Sequence, residues 1–174
     1  MEYQQRALAI TLGKPGPDHV NVATSYNKLA SIYKDLGDLK QAKEYQQRAL
    51  VIRLDKLGPE HVNIATSYNN LSLIYQDLGD LEKAKEYQER ALAINLDKLG
   101  AEHFHVVTSY NNLASICQDL GELEQAREYQ QRALSIRLDK LGPEHVDVPT
   151  SYQNVSLIYL DLDDLEQYLS LIHI

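Results

Sequence analysis

The chain is poor in the residues that hold up small secreted or metal-built proteins. Its 174 residues include one cysteine, Cys117, so no intrachain disulfide can form and a disulfide scaffold is excluded. Tryptophan is absent and Phe104 is the only phenylalanine, although there are 12 tyrosines. Basic residues are in the minority, 17 against 25 acidic, for a formal net charge of −8. That balance argues against a nucleic-acid backbone or an anionic membrane surface as partner. No run reaches the roughly 18 apolar residues that a membrane span needs. The start, "MEYQQRALAI", lacks the apolar run and cleavage site of a signal peptide. These absences describe a soluble chain, and a cytoplasmic compartment follows by default.

What the chain has in abundance is itself. "GPEHVNIATSYNNL" from Gly58 returns as "GAEHFHVVTSYNNL" from Gly100 and "GPEHVDVPTSYQNV" from Gly142, with an earlier copy, "GPDHVNVATSYNKL", from Gly16. Residues 44–85 and 86–127 agree at 28 of 42 positions without a gap, which fixes the repeat at 42 residues. Each unit carries two apolar stripes at three-to-four spacing. One is Ala42, Tyr45, Ala49, Ile52 and Leu57; the other is Ala65, Tyr68, Leu71, Tyr75 and Leu78. This is the helical period, not the alternation of a strand. "Leu78-Gly79-Asp80" places glycine at a helix C-terminus and aspartate as the next N-cap. "Leu57-Gly58-Pro59-Glu60" ends the other helix, with Pro59 and Glu60 expected in the first turn of its successor. The pattern predicts helix A near 20–36, 62–78, 104–120 and 146–162, and helix B near 39–57, 81–99 and 123–141. Pro149 requires the last helix A to begin close before it. One such pair cannot cover its own stripes, so the fold class is all-α, an α-solenoid of stacked antiparallel helix pairs.

The run Tyr26, Leu29, Ala30, Tyr33, Gly37, Ala42, Ala49 resembles the tetratricopeptide repeat (TPR). So do Tyr68, Leu71, Ser72, Tyr75, Gly79, Ala84, Ala91 and Tyr110, Leu113, Ala114, Cys117, Gly121, Ala126, Ala133. A fourth copy is degenerate: Tyr152, Val155, Ser156 and Tyr159, then Asp163 for glycine and Tyr168 for alanine. The length and "LGPEH" are similar to the long subclass found in kinesin light chains, nephrocystin-type proteins and the tails of NB-ARC ATPases. The family puts a large apolar residue where this chain has Gln46, Gln88 and Gln130. Tyr45, Tyr87 and Tyr129, one residue earlier, are expected to serve instead, on a slightly rotated helix B. The expected organisation is a TPR array over 1–168, with a partial helix B at 1–13 and pairs at 18–57, 60–99, 102–141 and 144–168, the last incomplete. The final "LSLIHI" matches one reading frame of a transposon end used to load sequencing adapters. Residues 169–174 are therefore expected to be a non-native tail, with a diverged terminal helix as the alternative.

Candidate chemistry is sparse. His19, His61, His103 and His145 share one repeat position, and stacked pairs would hold them roughly 10 Å apart, too far for joint ligation. His105 stands two residues from His103, poor geometry for a shared ligand on a helix. Cys117 takes the core place of Tyr33 and Tyr75. No nucleophile–base–acid set and no glycine-rich phosphate loop recurs. The chain is expected to be no enzyme, with no metal and no cofactor.

The amides stand out. Thr66, Asn70, Leu73 and Asp77 share one helix-A face, separate from the core stripe. In the fold that the sequence resembles, this face lines the concave groove. Equivalent positions supply Thr24, Lys28, Thr108, Asn112, Ser115, Asp119 and Asn154, with Asn27, Asn69 and Asn111 flanking. Stacking is expected to align Asn70, Asn112 and Asn154 with Lys28. An amide both donates and accepts, so a ladder of them can hold a peptide backbone. Asp35, Asp77, Asp119 and Asp161 form a second row, with only Lys28 and Lys34 basic nearby, which fits a neutral or mildly basic extended segment. The expected function is a non-catalytic protein-interaction scaffold. The alternative is a regulatory array from a motor light chain or an NB-ARC-type ATPase. Uncovered faces at the ends are expected to self-associate.

Overall fold

The computed structural model describes residues 20–162, and within them every regular element is a helix. Seven follow in order: α1 Val20–Asp35, α2 Leu39–Leu57, α3 Val62–Asp77, α4 Leu81–Leu99, α5 Phe104–Leu120, α6 Leu123–Leu141 and α7 Asp147–Asp161. Odd numbers are helix A and even numbers helix B, each within two residues of the expected span. The segment 1–13, His19, Asp163 and the terminal 169–174 lie outside the described residues. The chain divides into two compact units, 1–94 and 95–174, with the boundary inside α4.

The turns explain the alternation. After α1, Gly37 adopts φ 79°, and its N–H donates to Lys34 O while that of Asp38 donates to Tyr33 O. The same pair of bonds closes α3 at Gly79 and α5 at Gly121. This is the left-handed glycine stop that "LGD" encodes. Asp38 then caps α2, its carboxylate accepting from Gln41 N at 3.1 Å. The second turn differs from expectation. Pro59 and Glu60 precede α3 rather than forming its first turn. In the equivalent Gly100–His103 and Gly142–His145, the histidine N–H closes onto the glycine carbonyl at 3.3 Å, a β-turn with the Pro/Ala position second. At α3 and α5 the helix cap is the histidine itself. The Nδ1 of His61 accepts from Asn63 N, and that of His103 from His105 N, both at 3.1 Å. At α7 the N-cap is Val146, and His145 just before it makes a like bond, its Nδ1 accepting from Asp147 N at 3.3 Å. α7 therefore starts at Asp147, and Pro149 falls in its first turn, where no helical N–H is missed.

In unit 1, α2 packs on α1 and on α3. Ala42, Ala49, Ala84 and Ala91 are fully buried, the small side chains that let helices approach closely. Val22, Ala23, Ala49 and Ile52 form one core cluster, with Tyr26 against it. In unit 2, α6 packs on α5 and α7, and Cys117 sits in the core with Ala126 and Ile158. Two stripe assignments need correction. Leu78 is 42 % exposed, because it lies beyond the last helical residue, on the glycine turn. Tyr45 is only half-buried, while Gln46, Gln88 and Gln130 are at most 4 % exposed. The glutamines take the core place, and the tyrosines stack beside it. Tyr45 lies 5.4 Å from Tyr33 and 5.8 Å from Tyr26, and Tyr87 repeats this with Tyr75 and Tyr68. Arg48 caps the first cluster and Arg90 the second.

Candidate peptide-binding face

In unit 1 the helix-A residues do converge on a concavity. A pocket of about 310 Å³ lies between α1 and α3, lined by Asn27, Lys34 and Asp35, by Asn70 and Leu73, and by Gln46 of α2. The amides meet, but on a diagonal. Asn70 Nδ2 donates to Asn27 Oδ1 at 2.8 Å, whereas Lys28, the residue one repeat before Asn70, is exposed. The rung joins positions 43 apart, not 42. Asn70, the second amide of its pair, reaches back to Asn27, the first amide of the preceding helix A. Asp77, on the acidic row, is bound by Lys34 at 2.9 Å. The buried Gln46 donates from Nε2 to Ser67 O at 3.4 Å. It was not foreseen as a site residue; the signal was polarity in an apolar slot.

The threonines are turned to another task. Thr24, Thr66 and Thr108 each donate to the carbonyl four residues back in their own helix. Asn69, Asn112, Ser115 and Asp119 are each engaged by a neighbour. In unit 2, Asn154 is half-buried, and Asn111 has its Oδ1 sealed from solvent without a hydrogen-bond partner.

A second polar pairing recurs within each unit. Arg53, Asn95 and Arg137 hold one repeat position, and Ser67, Ser109 and Ser151 another. Arg53 Nη1 donates to Ser67 Oγ at 2.6 Å, Asn95 Nδ2 to Ser109 Oγ at 3.3 Å, and Arg137 Nη1 to Ser151 Oγ at 2.5 Å. Burial lowers the affinity of the Arg53 guanidinium for its proton.

Among the described residues, no group of three His, Cys, Asp or Glu is placed to hold a metal ion. No described helix is long and apolar enough to cross a membrane.

Known proteins give the pattern a family. The tetratricopeptide repeat model matches residues 2–55, 27–97 and 105–167. The comparison with curated proteins returned no match. Among solved structures, a protein described as a kinesin light chain with nearly identical TPR-like repeats, from Podosopora anserina, superposes with a TM-score of 0.86 at 24 % identity, over 99 % of this chain and 82 % of that one. BtubC (BKLC) from P. vanneervenii gives 0.85 at 26 % identity, over 98 % and 68 %. The apo form of RapI gives 0.80 at 16 %, over 97 % and 59 %, a likeness of fold alone. With the family model spanning most of its length, this chain belongs to the tetratricopeptide repeat family.

Proposed function

We propose that the chain grips an extended protein segment along the helix-A face, using its asparagines to pair with peptide groups. Arrays of this family are generally non-catalytic scaffolds for protein–protein contact. The observation that carries the finer reading is the pocket between α1 and α3, floored by Gln46 and bridged by the Asn27–Asn70 pair. A peptide group inserted at that rung would exchange one amide–amide bond for two amide–peptide bonds. Those remain available because each amide has further donor and acceptor capacity. Lys34 is held by Asp77, so the face offers no free cation cluster for a terminal carboxylate. A neutral or mildly basic segment fits the remaining field. A second reading rests on the likeness to kinesin light chain-type structures: a regulatory array within a motor or ATPase assembly.

The test is a double substitution. Asn27→Ala with Asn70→Ala removes the rung without stranding either partner, and should weaken a bound peptide by about 1–3 kcal/mol. Binding by the double variant at the parent's affinity would show that the rung is only internal packing.

A further inference from the structure

The pocket between α1 and α3 is lopsided in its charge. Lys34 and Asp77 cancel one another at 2.9 Å. Asn27 Oδ1 already accepts from Asn70. Three acceptors remain: the Asp35 carboxylate, which has no ion-pair or hydrogen-bond partner among the described residues, Asn70 Oδ1, and Gln46 Oε1. Gln46 is 1 % exposed and commits only its nitrogen, to Ser67 O. The donors facing them, Asn27 Nδ2, the second N–H of Asn70 and of Gln46, and the Ser31 hydroxyl, are all neutral. The net charge left at the rim is that of Asp35. Its placement has no local rationale, because a carboxylate in the last residue of a helix faces the negative end of the helix dipole. Asp38, not Asp35, caps the next helix. The rest of the lining is Ser31 and the apolar Ala30, Leu73 and Ile74.

Apolar lining beside an unpaired carboxylate matches one kind of side chain, a methylene stem ending in a cation. We infer that this pocket receives a lysine or arginine side chain of the bound segment. Its stem lies on Leu73 and Ile74, and its cation meets Asp35 and the free amide oxygens. The inference rests on the helix-A face being the peptide site, and it adds a residue preference that the face alone does not require.

The experiment presents a random-sequence peptide library of fixed length to the full chain and reads the sequences retained. The expected result is enrichment of Lys or Arg at one position, lost in Asp35→Asn and reversed toward Asp or Glu in Asp35→Lys. Peptides selected on the parent should lose about tenfold in affinity on Asp35→Asn. Asp35 is exposed, so both variants should keep the parent's circular dichroism and melting behaviour. If Asn27→Ala/Asn70→Ala weakens the retained peptides but Asp35→Asn changes neither selection nor affinity, the basic-pocket inference is overturned and the helix-A site stands. If the retained peptides ignore both sets of substitutions, or no peptide is retained, the site and the inference fall together.

Discussion

Arg53 of α2 donates to the hydroxyl of Ser67 in α3 at 2.6 Å, with its side chain 7 % exposed and no carboxylate beside it among the described residues. Its Nε has no hydrogen-bond partner and is sealed from solvent. A buried cation without an acid is costly, since a hydroxyl and the carbonyl of Asn63 at 3.4 Å return only part of its lost hydration. The chain itself supplies the neutral alternative, because Asn95 makes the equivalent bond to Ser109. Arg53→Asn is therefore expected to leave the urea midpoint unchanged or to raise it. Ser67→Ala keeps the cation and removes the nearer of its two acceptors, leaving Asn63 O at 3.4 Å, and should cost about 1–3 kcal/mol. An Arg53→Asn variant that unfolds as readily as Ser67→Ala would refute this account.

The seven helices were legible because three signals coincide in each repeat: the 3.6-residue stripe, the left-handed glycine and the 42-residue copy. Pro149 could be placed in a first turn on backbone grounds alone. The diagonal Asn70–Asn27 rung could not be read. A period aligns equivalent residues, whereas the offset between two packed helices decides which neighbours touch. Leu78 was misplaced because the stripe was run one step past the last helical residue. Gln46 was misread because polarity pointed outward, while its backbone position pointed in; Ser67 O receives its amide there. The histidine caps were hidden by a familiar proline signal two residues earlier. Among the amides, Asn27 and Asn70 meet at the pocket, whereas Asn111 keeps its Oδ1 buried without a hydrogen-bond partner.

His61 and His103 act as N-caps through a ring nitrogen, a role usually given to Ser, Thr, Asp or Asn. Loss of the acceptor leaves the Asn63 N–H without its side-chain partner. His61→Ala should destabilise by about 1 kcal/mol, and His61→Asp should restore the parent's stability. Urea unfolding of the three proteins decides the matter. Equal midpoints for parent and His61→Ala would mean that water replaces the ring at no loss.

Two glycine positions should respond differently to substitution. Gly58 and Gly142 adopt φ 79°, ψ 163°, a region open in practice to glycine alone. Gly121, at φ 77° and ψ 12°, is in the left-handed region that Asn tolerates. A Cβ at Gly58 or Gly121 meets nothing within 4 Å, so any loss is conformational rather than steric. Gly58→Ala should cost about 1–3 kcal/mol, and Gly121→Asn well under that. Thermal melts compared at matched helicity give the ranking, and a larger loss for Gly121→Asn would contradict it.

The tyrosine clusters make stability sensitive to alkali. Burial, then the facing ring of Tyr33, raises the pKa of Tyr45 above the ordinary phenol value; burial, then Tyr75, does the same for Tyr87. The folded state thus holds these protons more tightly than the unfolded chain does. That contribution is fully present below the unfolded phenol value near 10 and is lost as pH rises through the folded values. Arg48 and Arg90 oppose the rise but do not cancel it. The melting temperature is therefore expected to fall as pH climbs past about 10, together with tyrosinate absorbance that develops late and then jumps on unfolding. Tyr45→Phe with Tyr87→Phe should flatten that alkaline slope while keeping the ring stacks at 5.4 Å. If the double phenylalanine variant loses stability with pH as steeply as the parent, other groups drive the alkaline transition and the clusters serve packing alone.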